Sequence, residues 1–272
     1  MTTDDLLLQL ALFAAVGLAI GFLSGLFGIG GGIVRIPVFI YLLPRVGVEH
    51  ETLMHVAIGT SVSLIVPTAI MATYKQVRLG NLDMNYYAGW AVGVLIGVVA
   101  GMILLPYAST EALKAIFIVY LFSVGCYVGL VKDTRVVSTQ LPAGPVKLAV
   151  SAVVGMAAAL TGTGGGALVT PILKAFSCPL HRAIAMASAS GLVIGVASTV
   201  AVIFQGWNAP GLPAHSLGYI DLPVFAAMLP TTLLGTPLGV RVGNRLNKQW
   251  LKRIYTALLF IAAADMAYKT FT

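Results

Sequence analysis

Ten apolar stretches follow one another along the chain, at about 6–27, 33–44, 54–74, 86–106, 111–131, 146–161, 166–177, 183–205, 222–240 and 250–270. Most approach the ~20 residues that an α-helix needs to cross a bilayer. Of the 272 residues 58% are hydrophobic and only 9% charged. A water-soluble fold could not hide that much apolar surface, so the surplus must face lipid. The pattern predicts an all-α integral membrane protein built as one bundle, multi-pass in the cell inner (plasma) membrane. The opening residues, Met1-Thr2-Thr3-Asp4-Asp5, carry acids where a signal peptide carries lysine or arginine, so Leu6 onward reads as a retained first span. A net charge of +7 would suggest nucleic acid in a soluble protein. Here the positive-inside bias of loops explains it, and no nucleic-acid partner is expected. Cys126 and Cys178 form no CxxC pair and read as free thiols.

Two stretches, 33–44 and 166–177, are too short to cross alone. Each follows a glycine cluster, Gly28-Ile29-Gly30-Gly31-Gly32 or Gly162-Thr163-Gly164-Gly165-Gly166. One constant offset superposes Gly21 on Gly155, Leu26 on Leu160, both clusters on each other, and Pro37 on Pro171. His55-Val56-Ala57-Ile58 then matches His181-Arg182-Ala183-Ile184, Leu79-Gly80-Asn81-Leu82-Asp83 matches Leu217-Gly218-Tyr219-Ile220-Asp221, and Leu113-Lys114 matches Leu251-Lys252. Composition bias could align glycines, but not His, Asp and Lys in the same order. The chain is therefore duplicated, with residues 1–135 as the first repeat and 136–272 as the second. Each repeat holds a glycine-broken helix or re-entrant hairpin followed by three transmembrane helices.

Loop charge sets the orientation. Arg241, Arg245, Lys248, Lys252 and Arg253 mark one loop as cytoplasmic, whereas its first-half counterpart near 107–114 has only Lys114 beside Glu111. Lys75 and Arg78 precede Asp83, yet 207–221 has no basic residue. Equivalent loops with opposite bias imply repeats of inverted topology.

The glycine clusters are the strongest functional candidates. Three glycines in succession unwind a helix, and within lipid the freed backbone is tolerated only when buried in protein or lining a cavity. The short helices that follow would aim N–H groups and positive dipole ends at that cavity. Two such ends make an anion cradle from Gly30, Gly31, Gly32, Gly164, Gly165 and Gly166. Packing alone is the competing reading, and it suits Gly97–Gly101 and Gly235–Gly239. Neither cluster completes a nucleotide-binding loop.

Arg35, inside the first short stretch, would either meet an anion or pair with a carbonyl or carboxylate. Thr60, Ser61, Ser188 and Ser190 could bond an oxyanion or satisfy helix carbonyls, and Thr163 lies within the second cluster. His55 and His181 read as helix-entry histidines or as a gate, and Asp83 and Asp221 as helix caps. Lys174 reads as snorkelling. Asp265, the only carboxylate inside a long span, reads as interfacial or paired, or as a proton site. No cofactor, metal site or enzymatic motif such as HExxH is expected. The chemistry leaves a transporter, a passive anion channel or, more remotely, an intramembrane enzyme or a scaffold. Its expected partners are a small anion, the lipid bilayer and, at most, further copies of itself as a homo-oligomer.

The run Gly21-Phe22-Leu23-Ser24-Gly25-Leu26-Phe27-Gly28-Ile29-Gly30-Gly31-Gly32, then Pro37, then Ala57-Ile58-Gly59-Thr60-Ser61, resembles the signature of the TauE/SafE sulfite exporter family, and Gly155 to Pro171 resembles its repeat. The resemblance implies a secondary transporter that exports sulfite, organosulfonates or related sulfur-containing anions. The second half departs from the pattern. Thr161 and Thr163 flank Gly162, and Ala185-Met186-Ala187-Ser188 replaces the Gly-Thr-Ser step, so the two half-sites are chemically unequal.

Overall fold

Each predicted stretch is one helix in the computed structural model, which describes residues 3–27, 31–130, 138, 140–213, 215–243 and 245–271. The first half comprises α1 (Thr3–Phe27), α2 (Gly32–Leu42), α3 (Leu53–Arg78), α4 (Met84–Leu104) and α5 (Thr110–Leu130). The second comprises α6 (Gly144–Thr161), α7 (Gly166–Ala175), α8 (Leu180–Gln205), α9 (Leu222–Gly243) and α10 (Lys248–Phe271). A small antiparallel hairpin of β1 (Ser216–Leu217) and β2 (Ile220–Asp221) leads into α9. Among the described residues, seven helices are long and apolar enough to cross a membrane: α1, α3, α4, α5, α6, α8 and α9. With 11 and 10 residues, α2 and α7 reach only roughly 15 Å and cannot cross alone.

The breaks fall where the glycines are. Gly31 precedes α2 with φ 74°, and Gly162, Gly164 and Gly165 lead from α6 into α7 with φ of 62°, 74° and 76°. These left-handed angles are open to glycine and costly for a residue with a Cβ. At the starts of α4 and α9, polar side chains take over. Asp83 Oδ1 accepts from Tyr86 N at 3.2 Å and Asp221 Oδ1 from Val224 N at 2.9 Å, capping α4 and α9 at matched positions of the duplication. Burial pushes the Asp221 carboxyl above the usual carboxylate range, and the Val224 N–H pulls the other way.

The halves interlock. The main interfaces pair α1 with α9, α4 with α6, α3 with α8, and α5 with α10. Gly17, Gly21 and Gly25 of α1 lie against Met228, Thr232 and Thr236 of α9, so these helices run parallel. Gly93, Gly97 and Gly101 of α4 meet Ser151, Ala152 and Met156 of α6 in the same sense. The other two pairs run antiparallel. Ile65 and Ala69 of α3 face Gly195 and Gly191 of α8, and Gly125 and Gly129 of α5 face Leu259 and Thr256 of α10. Gly97, Gly101, Gly235 and Gly239 all serve close helix approach, and lipid-embedded helices favour such small residues because tight backbone packing replaces the hydrophobic drive.

This packing can be tested by adding one methyl group. A Cβ on Gly239 would fall within the Phe22 carbonyl, whereas at Gly125 it would meet Phe260 at 3.4 Å, an ordinary contact. Gly239→Ala should lose about 1–3 kcal/mol through overpacking and melt earlier in detergent. Gly125→Ala should melt at or above the wild-type temperature, since alanine is the better helix former.

Candidate functional site

The two glycine breaks meet. A Cβ on Gly32 would lie 2.5 Å from both Gly162 O and Thr163 Cα, so the start of α2 packs on the second break backbone to backbone. Val34 N and Arg35 N both donate to Gly31 O, at 3.2 and 3.0 Å. The N–H groups of Gly32 and Ile33 precede that first turn, as do those of Gly166 and Ala167 in α7, where Leu168 N and Val169 N bond Gly165 O. The positive end of α2 therefore lies against the backbone of the second break, three residues before α7 begins.

Arg35 projects into this region and is only 1% exposed. Its Nη1 donates to Ser61 O at 3.0 Å and to Ser61 Oγ at 3.3 Å. Ser61 Oγ in turn donates to Gly162 O at 2.7 Å. The guanidinium thus ties α2 to α3 and, through Ser61, to the second break. Its Nε is buried without a hydrogen-bond partner. Among the described residues no carboxylate lies within ion-pair distance of it, the one such pair being His50–Glu111, both exposed. An uncompensated buried cation costs several kcal/mol. The carbonyl pairing expected as one reading of Arg35 is present at Nη1, while Nε has no hydrogen-bond partner.

The second break adds hydroxyls. Thr163 Oγ1 lies 3.0 Å from Thr161 Oγ1 and donates to the Tyr120 hydroxyl of α5 at 3.0 Å, and Thr161 Oγ1 donates back to Ala157 O at 2.6 Å. Thr161 and Thr163 are fully buried. Gly31 stands where a Cβ would be 3.2 Å from Arg35 Nη2 and 3.3 Å from Ser24 Oγ, and a Cβ on Gly165 would press on Ile194 at 2.6 Å.

The structure therefore gathers Gly31, Gly32, Arg35, Ser61, Thr163, Gly164, Gly165 and Gly166 about the joined breaks, while Gly30 lies outside the described residues. Two candidates stand apart. Thr60 Oγ1 accepts from Asp221 N at 3.0 Å, tying α3 to the hairpin before α9. Ser188 Oγ donates to Ile184 O of its own helix at 3.0 Å on a partly exposed face. Tyr120, Ser24 and Thr161 belong to the site but were not among the expected ligands. Tyr120 sits in an ordinary apolar run, and nothing in the local sequence distinguishes it.

Other candidates have structural partners. His55 Nε2 donates to Leu105 O at 3.0 Å and its ring packs on Tyr219, whereas His181 is exposed. The Tyr41 hydroxyl donates to Asp265, so the intramembrane acid is held by the far end of α2 rather than by Arg35. Ser190 Oγ accepts from Trp90 Nε1 at 3.1 Å.

The family profile described as "Sulfite exporter TauE/SafE" matches residues 13–266. The chain belongs to the sulfite exporter TauE/SafE family. A Haemophilus influenzae protein described as a probable membrane transporter protein is 32% identical to it over 257 residues, covering 93% of this chain and 96% of the relative. A Methanocaldococcus jannaschii protein described likewise is 21% identical, covering 96% of this chain and 97% of its own length. No solved structure matches. As a TauE/SafE family member with seven apolar helices among its described residues, the chain is a multi-pass membrane protein of a transporter family and not an enzyme.

The breaks supply the next test. Valine at Gly31 or Gly165 would have to adopt φ of 74° or 76°, and its branch would push on Arg35 or Ile194. Each variant should insert in the membrane yet lose transport. Full flux in both would reduce these glycines to spacers.

Proposed function

We propose that this chain is a secondary transporter that exports small sulfur-containing anions such as sulfite or organosulfonates, bound where the two glycine breaks meet. The observation that carries this reading is Arg35, a buried guanidinium whose Nε is unpartnered and which has no carboxylate to neutralise it among the described residues. An anion held there would be met by that cation and by the positive ends of α2 and α7. A guanidinium also offers two donors in a plane, matching two oxygens of a sulfur oxyanion. A passive anion channel would use the same groups; saturable counterflow separates the carrier from the pore.

Arg35→Lys should keep the charge but lose the fork, raising apparent KM for the transported anion. Arg35→Ala should lose most flux. The anion-contact reading requires that a saturating substrate raise the melting temperature of wild type and not of Arg35→Ala. An undiminished substrate-induced shift in a destabilised Arg35→Ala would make the residue a structural tie only.

We also propose that the halves sit inverted in the bilayer. The antiparallel course of α3 against α8 and of α5 against α10 supports this, since equivalent helices of the two repeats then enter from opposite sides. Cysteines placed at Arg78 and Lys248 should label from the cytoplasm, and one at Ala209 from outside. Labelling of 78 and 209 from the same side would end the inverted model.

A further inference from the structure

The two repeats differ most at one connection, and that connection lies over the site. Five residues (79–83) join α3 to α4, whereas sixteen (206–221) join α8 to α9. Of the longer connection, residues 206–213 and 215–221 are described. Its first part seats on the segment before α3, where Thr52 Oγ1 donates to Gly211 O at 3.3 Å and Gly211 stands against the Glu49 side chain. Its last part is the β1–β2 hairpin, pinned to the end of α8 by Tyr219 N donating to Val202 O at 3.1 Å. The hairpin lies on the first turns of α3. The Tyr219 ring packs on His55 with centroids 5.1 Å apart, Gly59 leaves no room for a Cβ beneath Tyr219 O, and Asp221 N donates to Thr60 Oγ1 at 3.0 Å.

One turn of α3 therefore meets the hairpin and the site at once. Gly59 and Thr60 touch the hairpin, while their neighbours touch the joined breaks. A Cβ on Gly162 would lie 3.2 Å from Ile58 Cα, and Ser61 bonds both Arg35 and Gly162 O. The cover is one-sided. Every residue of α3 from Leu53 to Ile65 is buried, whereas Leu180, His181, Arg182 and Ile184 are exposed in the matched stretch of α8. His55 lies under the hairpin and its repeat mate His181 lies in the open. We infer that the hairpin is the gate of the site on the face where α3 begins, seated on Gly59 and Thr60 when closed and lifting off them to let the anion pass. The inference rests on the proposed transport reading, and in the inverted arrangement that face is the outer one. The hairpin is also coupled to the scaffold. Asp221 caps α9, and α9 packs along α1, the helix that ends at the first break. A shift of that helix pair would carry the hairpin with it, and a cover held by a few small contacts can open without unfolding a helix.

The test uses the full chain in proteoliposomes, with Cys126 and Cys178 replaced by alanine so that no native thiol interferes. Glu49→Cys with Gly211→Cys sets two thiols where a Cβ on Gly211 would lie 3.6 Å from Glu49 Cγ, within reach of a disulfide. Oxidation should stop sulfite counterflow, and reduction should restore it. A second arm reads the hairpin without any flux. Thr60→Cys, buried beneath Asp221 N, should react with a membrane-impermeant thiol reagent on that face only as the hairpin lifts. Adding Tyr219→Ala should speed the labelling about fivefold, the effect of losing one ring pair. Tyr219→Phe keeps the ring and should leave the labelling rate unchanged. An oxidised pair that exchanges sulfite as fast as the same protein after reduction overturns the gate and leaves anion transport standing. Labelling of Thr60→Cys that Tyr219→Ala does not speed has the same consequence, and this arm decides the matter even where the cysteine pair itself impairs exchange. Wild-type protein that exchanges neither sulfite nor methanesulfonate overturns the transport reading, and the gate falls with it.

Discussion

Gly32 and Gly162 approach until no side chain fits between them, and the polar interior of the bundle is organised around that contact. A backbone-to-backbone junction inside an apolar bundle brings unpaired carbonyls and N–H groups where no water can satisfy them, so neighbouring side chains must do so. Ser61 does it for the Gly162 carbonyl, and Arg35 does it for Ser61. Removing Ser61 Oγ would leave Gly162 O without its donor and loosen the hold on Arg35 together, so the scaffold and the candidate ligand contact form one network. The left-handed angles at Gly31, Gly164 and Gly165 are what let the chain turn into this junction.

The scaffold is repeated but the chemistry is not. Gly31 and Gly165 hold the same place before their short helices, yet the residue four positions on is Arg35 in one half and Val169 in the other. Ser61 and Ala187 occupy matched places six residues beyond His55 and His181. What the second half contributes instead is Thr161 and Thr163 at the break itself, with Tyr120 reaching in from the first half. Each half has a glycine-broken helix start, and one half carries Arg35 while the other carries Thr161 and Thr163. On the proposed function, an anion with inequivalent ends would bind in one orientation, which two identical half-sites could not enforce.

Much of this was legible in the sequence because membrane folding leaves few options. Hydropathy located all ten helices, and the glycine clusters located both breaks, since a continuous helix is the default in lipid and any departure needs a residue that permits it. Arg35 and Ser61 stood out for the same reason: polar groups in apolar runs are expensive and so carry information. The assignments that failed to converge on the site depend on helix rotation, which hydropathy does not fix. Thr60 and Ser61 are neighbours, yet about 100° apart around α3, so one faces Asp221 and the other Arg35. Ser188 turned out to serve its own helix, the ordinary fate of a serine in an apolar span. Tyr120 was invisible because an interior tyrosine resembles any aromatic core residue until its hydroxyl is seen to meet Thr163.

On the proposed function, the energetics of export follow from the same sparse inventory. An inside-negative potential favours the exit of each negative charge by about 2.3 kcal/mol per 100 mV. A carrier moving one anion outward down that field needs no ATP-binding element, and neither glycine cluster forms one. It also needs no acid that picks up a proton with each cycle, and Asp265, the carboxylate deepest within a long helix, is engaged with Tyr41 on the other end of α2. The demand placed on the protein is therefore modest. On the proposed function it would desolvate an anion beside Arg35, compensate the lost water with other donors, and release it on the far side. Tight binding would defeat the last step, and a site with one cation and neutral donors is suited to binding that is specific without being strong.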